Sequence, residues 1–257
     1  MAVDQMKFEI ENIREYDGAD LILLIGCPGS RWSNIHSMLS ENSQINNTDW
    51  SAEKSWESLT EGILGTVHRI GNHTGSYWGP GNMYGKNFGR LDLLSKEEIL
   101  TEFMDAYETW DKIKVIKSHW FAYNIDYLHN LFPKAKIVSC YAGDLDSFYW
   151  WHKCGGWGLG YANYSWYEDD TRLLEKIKEE NSNILKFNID RDIDFKFMLR
   201  HELWENVGIP EEAEHDTTYT NCKIAIYSGG HVPHFNHLRN FSRQHLRQKT
   251  TESNHEV

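Results

Sequence analysis

A chain of 257 residues, 40% hydrophobic and 14% aromatic, carries enough apolar surface for one large domain, which excludes disorder as its main state. Its formal charge of −12 excludes a protein whose whole surface coats nucleic acid or an anionic membrane, and leaves room for a local basic pocket. The N-terminal stretch has no cationic start, and no segment reaches the roughly 18 apolar residues of a membrane span, so the expectation is a soluble, cytoplasmic chain without a signal peptide. The widely spread Cys27, Cys140, Cys154 and Cys222 fit reduced core residues better than a disulfide framework.

In chain order, "LILLIG" reads as a buried strand, and Ile35, Met38 and Leu39 mark one face of the helix that follows. Residues 43–92 are rich in Asn, Gly, Trp and Tyr and read as a long, mostly irregular binding loop or lid. Ser95 caps a helix through "SKEEILTEFMDAYETW", with Glu98 as its capping-box partner. "KIKVIKSHW" predicts a strand, "NIDYLHNLF" a short helix and "AKIVSCYA" another strand. Asp144 then caps a helix through "LDSFYWWHK". "EDDTRLLEKIKEENSN" predicts a solvated helix, "ILKFNI" a strand, and "DFKFMLRHELWENVG" a helix stopped by Gly208 and Pro210. Apolar strands alternating with helices give an α/β chain, layered α/β/α around a central, mostly parallel sheet. Without repeats or linkers, residues 1–257 form a single domain with a polar tail from about 238.

The first strand runs directly into "GCPGSRWSN". A turn leading into a helix supplies free backbone N–H groups and the positive end of the helix dipole, which together hold an anion. Ser30 and Ser33 add hydroxyl donors and Arg31 a cation. The stretch lacks the Gly-Lys-Ser/Thr ending of a Walker loop. The simplest alternative is an ordinary strand-to-helix turn.

Further on, "VIKSHWFAYNIDYLHNLFPKAKIVSCYAGDLDSFYWW" ends a strand on Lys117-Ser118-His119, starts the next after Phe-Pro, and opens a helix on Asp-Leu-Asp-Ser. This order resembles the core of the sulfotransferases that use 3′-phosphoadenosine 5′-phosphosulfate (PAPS), whose strand-ending Lys-Thr-His carries a catalytic histidine. "GCPGSRWS" is similar to their 5′-phosphosulfate loop, and the correspondence runs over roughly residues 20–155. The resemblance implies a P-loop NTPase-like, sulfotransferase-like fold and transfer of a sulfuryl group from PAPS, as co-substrate, to a hydroxyl or amine of a small-molecule or glycan acceptor. It assigns His119 as general base and Lys117 as support for the charge developing on the transferred or leaving group. Pro28, Gly29, Ser30, Arg31, Trp32 and Ser33 would cradle the 5′-phosphate. No metal is implied.

The chain departs from that pattern in three places. The family's loop lysine aligns with Gly29, and Arg31 stands two residues along, where glycine is usual. The family's 3′-phosphate clamp, an Arg followed eight residues later by a Ser, reads Ala142 and Trp150, with only Ser147 nearby. No Arg-Lys-Gly segment follows; Arg239, Arg243 and Arg247 read as one solvated helix face. These losses support a second reading, a binding protein on the same fold without catalysis. A P-loop kinase is the third, opposed by the missing Walker lysine and magnesium carboxylate.

His231, His234 and His237 recur at three-residue spacing, but no Cys or carboxylate partner lies at suitable spacing and Pro233 interrupts any helix, so they read as no metal site. His68 and His73 read as solvated loop histidines. Trp78, Tyr84, Trp150, Trp151, Trp157, Tyr161 and Trp166 read first as core and cover, and second as a stacking surface for a planar or sugar-like acceptor.

Overall fold

The computed structural model describes residues 13–49, 56–61, 67–72, 76–79, 88–154, 169–210 and 217–229. The first strand, β1 (Leu21–Ile25), is buried at every position. Its side chains alternate between two cores. Leu21, Leu23 and Ile25 join Ile99, Phe103, Leu128 and Ile184 on one face. Ile22 and Leu24 join Ile35, Met38, Leu39 and Leu203 on the other. A strand buried on both faces needs an unbroken apolar run rather than alternation, which "LILLI" supplies.

The helix α1 (Trp32–Ser40) follows β1. Residues 43–92 contain more regular structure than their composition predicts. The strands β2 (Trp56–Glu61) and β3 (Val67–Asn72) pair antiparallel. The short strand β4 (Ser76–Tyr77) then joins the central sheet, and a 3-10 segment runs from Phe88 to Leu93. The helix α2 (Lys96–Met104) begins at the predicted capping box: Ser95 Oγ accepts from the Glu98 amide at 3.2 Å, and Glu98 Oε2 accepts from the Ser95 amide at 2.7 Å.

Then come β5 (Lys114–Ser118), α3 (Ile125–Leu131), β6 (Lys136–Tyr141) and α4 (Asp144–Lys153). Gly143, not Asp144, occupies the N-cap of α4, and Asp144 is its first helical residue. The helix α5 (Asp170–Ile189) starts at Asp169, whose carboxylate accepts from the Arg172 amide at 2.9 Å. It absorbs "ILKFNI", predicted as a strand: Leu173, Ile177, Ile184 and Phe187 continue one buried helical face, and that periodicity overrides the short apolar run. The helix α6 is only Arg200–Asn206. The residues ahead of it, predicted helical, are extended instead: Lys196 and Ile224 exchange backbone hydrogen bonds of 3.1 and 2.8 Å with one another. The last strand, β7 (Lys223–Tyr227), is absent from the sequence reading.

The strands form a mixed five-stranded sheet in the order β4-β5-β1-β6-β7. β4, β5, β1 and β6 are parallel, and β7 runs antiparallel to β6 at one edge. Because β5 lies on one side of β1 and β6 on the other, the chain reverses its direction of winding across β1. The carboxyl ends of all three strands share one edge, where open parallel sheets bind ligands. No helix among the described residues is long and apolar enough to cross a membrane. All four cysteines are free thiols.

Candidate functional site

Three segments meet at that edge: Gly26 to Arg31 after β1, His119 after β5, and Gly143 before α4. The first is a tight turn closed by the Ser30 amide donating to the Cys27 carbonyl at 3.0 Å. Gly29 (φ 77°) and Arg31 (φ 68°) are both left-handed. Arg31 is the N-cap of α1 and adds no side-chain cap; the Asn34 amide donates to the Arg31 carbonyl at 3.1 Å, which leaves the Trp32 and Ser33 amides of this nine-residue helix without an intrahelical partner. A left-handed arginine costs roughly 1–2 kcal/mol, which the surrounding contacts must offset.

The same loop explains its missing lysine. A Cβ on Gly29 would lie 1.9 Å from the Ser147 carbonyl oxygen and 3.0 Å from the Trp151 amide. The loop is pressed backbone to backbone against α4, so no side chain fits at residue 29. Arg31 does carry a cation, held on one flank. Its Nη1 donates to the Asn221 carbonyl at 2.9 Å, and its guanidinium lies 4.5 Å from the centre of the Trp150 ring. Its Nε–H is buried without an acceptor. Ser30 and Ser147 are buried; the Ser30 hydroxyl has no partner, and the Ser147 hydroxyl lies against the Cys27 thiol. Trp32 is largely buried and Ser33 half-buried.

His119 is positioned by a single turn. The Ser118 hydroxyl accepts from the Trp120 amide at 3.1 Å and starts a 3-10 turn, Trp120–Tyr123, at the end of β5. The imidazole crosses back to β1, where Nδ1 donates to the Gly26 carbonyl at 2.7 Å. That bond leaves Nε2 as the nitrogen free of a proton in the neutral ring. Trp32 stacks on the ring at 4.2 Å with a 14° tilt, while Tyr77 and Trp151 present edges at 6.0 and 6.4 Å. Burial pushes the His119 pKa down to about 4, against the pull of the Gly26 carbonyl, and the charge of Lys117 depresses it further. The imidazole is therefore neutral at pH 7.

Lys117 alternates with Ile116 and shares with Val115 the face of β5 that looks toward α1. It is fully buried and its ammonium has no hydrogen-bond partner. Burial lowers its pKa to about 7, with only Asp49 pulling it upward. His36, on α1, is pushed well below its ordinary range by burial and by the Lys117 charge, which places it near the same ammonium. A buried, unpaired lysine is costly, and such perturbed groups cluster at functional sites.

Glu180 and Asn181 on α5 are the site neighbours the sequence reading missed. Glu180 is fully buried, and burial pushes its pKa well above the ordinary range against the opposing pull of Lys176 and the Tyr123 hydroxyl. Asn181 donates to Asp144 Oδ1 at 2.7 Å. In "KIKEENSN" both look like solvated polar residues. Their positions three and four residues after the buried Ile177 were the one available signal.

The aromatic residues divide. Trp78 is core, with its indole N–H donating to Glu102 at 2.7 Å. Trp151 borders His119 and Trp150 borders Arg31. Ala142, at the first clamp position, is half-buried against the α1 side of the sheet. Tyr84, Trp157, Tyr161, Trp166, His73, His231, His234, His237, Arg239, Arg243 and Arg247, and the side chain of His68, lie outside the described residues. Among the described residues no group of three or more His, Cys, Asp or Glu is placed to hold a metal ion. No family model matches the chain, and no curated protein or solved structure is detectably similar to it.

Proposed function

We propose that this chain is a sulfotransferase that moves a sulfuryl group from PAPS to a hydroxyl or amine of a small-molecule or glycan acceptor, on a layered, P-loop-like fold. The observation that carries the reading is the Nδ1 hydrogen bond from His119 to the Gly26 carbonyl. It holds a neutral base, Nε2 unprotonated, against the turn that opens α1, with the unpaired Lys117 ammonium nearby. In this reading Nε2 takes the acceptor proton as the new bond forms from sulfur to the acceptor oxygen or nitrogen and the bond from sulfur to the phosphate oxygen breaks. The first-turn amides of α1 and the Lys117 charge support the phosphate that leaves as 3′,5′-adenosine bisphosphate. The Ser30 hydroxyl is a spare donor in the loop.

The second reading, a binding protein without catalysis, is favoured by the commitment of Arg31 to Asn221 and Trp150 and by Ala142 at the clamp position. The test is ³⁵S transfer from labelled PAPS to a panel of phenols, sugars and amines, for the wild type and His119→Ala. Transfer reduced at least 100-fold in the variant, with bisphosphate binding retained, is the expected result. Undiminished turnover in His119→Ala refutes the mechanism. Bisphosphate binding without transfer in the wild type selects the second reading.

A further inference from the structure

A cavity of about 270 Å³ opens between residues 122–127 and one face of α5. On α5 it is lined by Asn183, Lys186, Phe187 and Asp190, whose spacing of three, four and seven residues marks a single helical face. Opposite them the chain leaves the 3-10 turn Trp120–Tyr123 and enters α3. Neither the turn Gly26–Ser33 nor Lys117 nor His119 is part of this lining.

The cavity has an apolar floor and a polar rim. Ala122, Ile125 and Phe187 are buried members of the core. The two aromatic walls are held by their hydroxyls: Tyr123 donates to Glu179 Oε2 at 3.2 Å, and Tyr127 to the Leu94 carbonyl at 2.5 Å. The rim carries Asn124, Asp126, Asn183, Lys186 and Asp190. Asp126 is paired with Arg191 at 2.7 Å, and the charges of Lys186 and Asp190 offset one another. In a chain of net charge −12 the rim is therefore locally neutral, so it favours neither an anion nor a cation.

Two primary amides, each both donor and acceptor, stand beside carboxylates that only accept and an ammonium that only donates. A neutral ligand that uses all of them must donate and accept at several neighbouring points, as a run of hydroxyl groups does. It must also offer a C–H face to the apolar floor. The volume lies below the roughly 300–1,000 Å³ of pockets that hold drug-sized ligands, which suits one ring rather than a nucleotide.

We infer that this cavity is a carbohydrate site. It takes one neutral sugar ring, with the hydroxyls on Asn124, Asn183, Lys186 and Asp190 and the C–H face on Ile125 and Phe187. The inference stands apart from the reaction assigned to His119, because binding here needs no sulfuryl donor.

The experiment is a saturation-transfer NMR titration of the full chain with the methyl glycosides of glucose, galactose, mannose and N-acetylglucosamine, and with glycylglycine as a zwitterionic comparison. It is run on the wild type, Asn183→Ala and Asn124→Ala. Alanine is the better helix former at residue 183, and Asn124 makes no side-chain cap to α3, so both variants keep their fold, which circular dichroism checks. The expected result is that at least one glycoside binds the wild type with a Kd of about 1 mM or tighter. Each variant weakens that glycoside at least tenfold, and saturating 3′,5′-adenosine bisphosphate leaves its affinity within twofold. If no glycoside binds, the inference fails whatever the transfer assay shows. Glycoside binding that both variants retain places the sugar elsewhere and overturns it. Tighter binding of glycylglycine than of every glycoside makes the cavity a peptide site and overturns it too.

Discussion

Replacing Lys117 with Met tests the energetics of the site directly. Burial takes the Lys117 pKa from 10.5 to about 7. That drop corresponds to roughly 5 kcal/mol between protonation states, and about 4 kcal/mol of it opposes folding at pH 7. The sign follows from proton counting. Between pH 7 and 10.5 the unfolded chain holds a proton on this lysine that the folded chain has released. Wild-type stability therefore rises with pH across that window because of this group. Lys117→Met removes the group and keeps an unbranched side chain of similar length in the slot. Urea unfolding at pH 7 and at pH 10 gives the stability of each protein, and the comparison is the change in the difference between them. Other alkaline titrations cancel in that difference, as does the packing change. The variant is expected to gain on the wild type by about 3 kcal/mol more at pH 7 than at pH 10. A gap independent of pH would show that Lys117 is solvated or paired and is not the free charge the site requires.

Under the proposed mechanism the same pKa values govern turnover: kcat/KM is expected to fall on the acid side near pH 4, as His119 protonates, and on the alkaline side near pH 7, as Lys117 loses its charge. A steady-state pH profile with an acid limb near 6.5 would contradict the buried imidazole. Glu180→Gln is expected to stabilise the protein at neutral pH and to lose that advantage as the pH falls below 4.5, because the raised folded-state pKa of Glu180 makes wild-type stability decline as pH rises above its ordinary value. Chemical unfolding at pH 4 and pH 7 checks this. Gly29→Ala combines a left-handed φ of 77° with a Cβ 1.9 Å from the Ser147 oxygen, so it is expected to cost about 2 kcal/mol or more and lower Tm by several degrees. An unchanged Tm would mean that the loop and α4 separate freely.

The parts legible in the sequence were those written locally. β1, β5 and β6 are apolar runs bounded by turns, the Ser95 cap and its Glu98 partner lie three residues apart, and His119 and Lys117 stand at the end of a readable strand. What escaped depended on distant partners. "ILKFNI" carries β-like residues, and only the continuation of the Ile177 face through Ile184 makes it helical. Residues 194–199 are extended because Lys196 finds Ile224, which no local pattern announces. Gly29 is required because α4 arrives more than a hundred residues later to press against it. Arg31 meets its carbonyl acceptor, Asn221, from 190 residues away. Glu180 looked solvated because, in a helix so rich in charge, only its three-residue spacing from Ile177 marks it as buried.

The hydrogen bond between His119 and Gly26 also gives the protein an internal signal. The Nδ1 proton is donated by the ring to the Gly26 carbonyl, at the start of the turn that opens α1, over 2.7 Å and in a buried position. Such a proton exchanges slowly and resonates far downfield, and its shift follows the length of the bond. Any molecule that settles into the turn and moves the Gly26 peptide changes that resonance, even if no chemistry follows. Imidazole proton spectra can therefore report occupancy of the turn for every candidate anion, independently of whether an acceptor has been found.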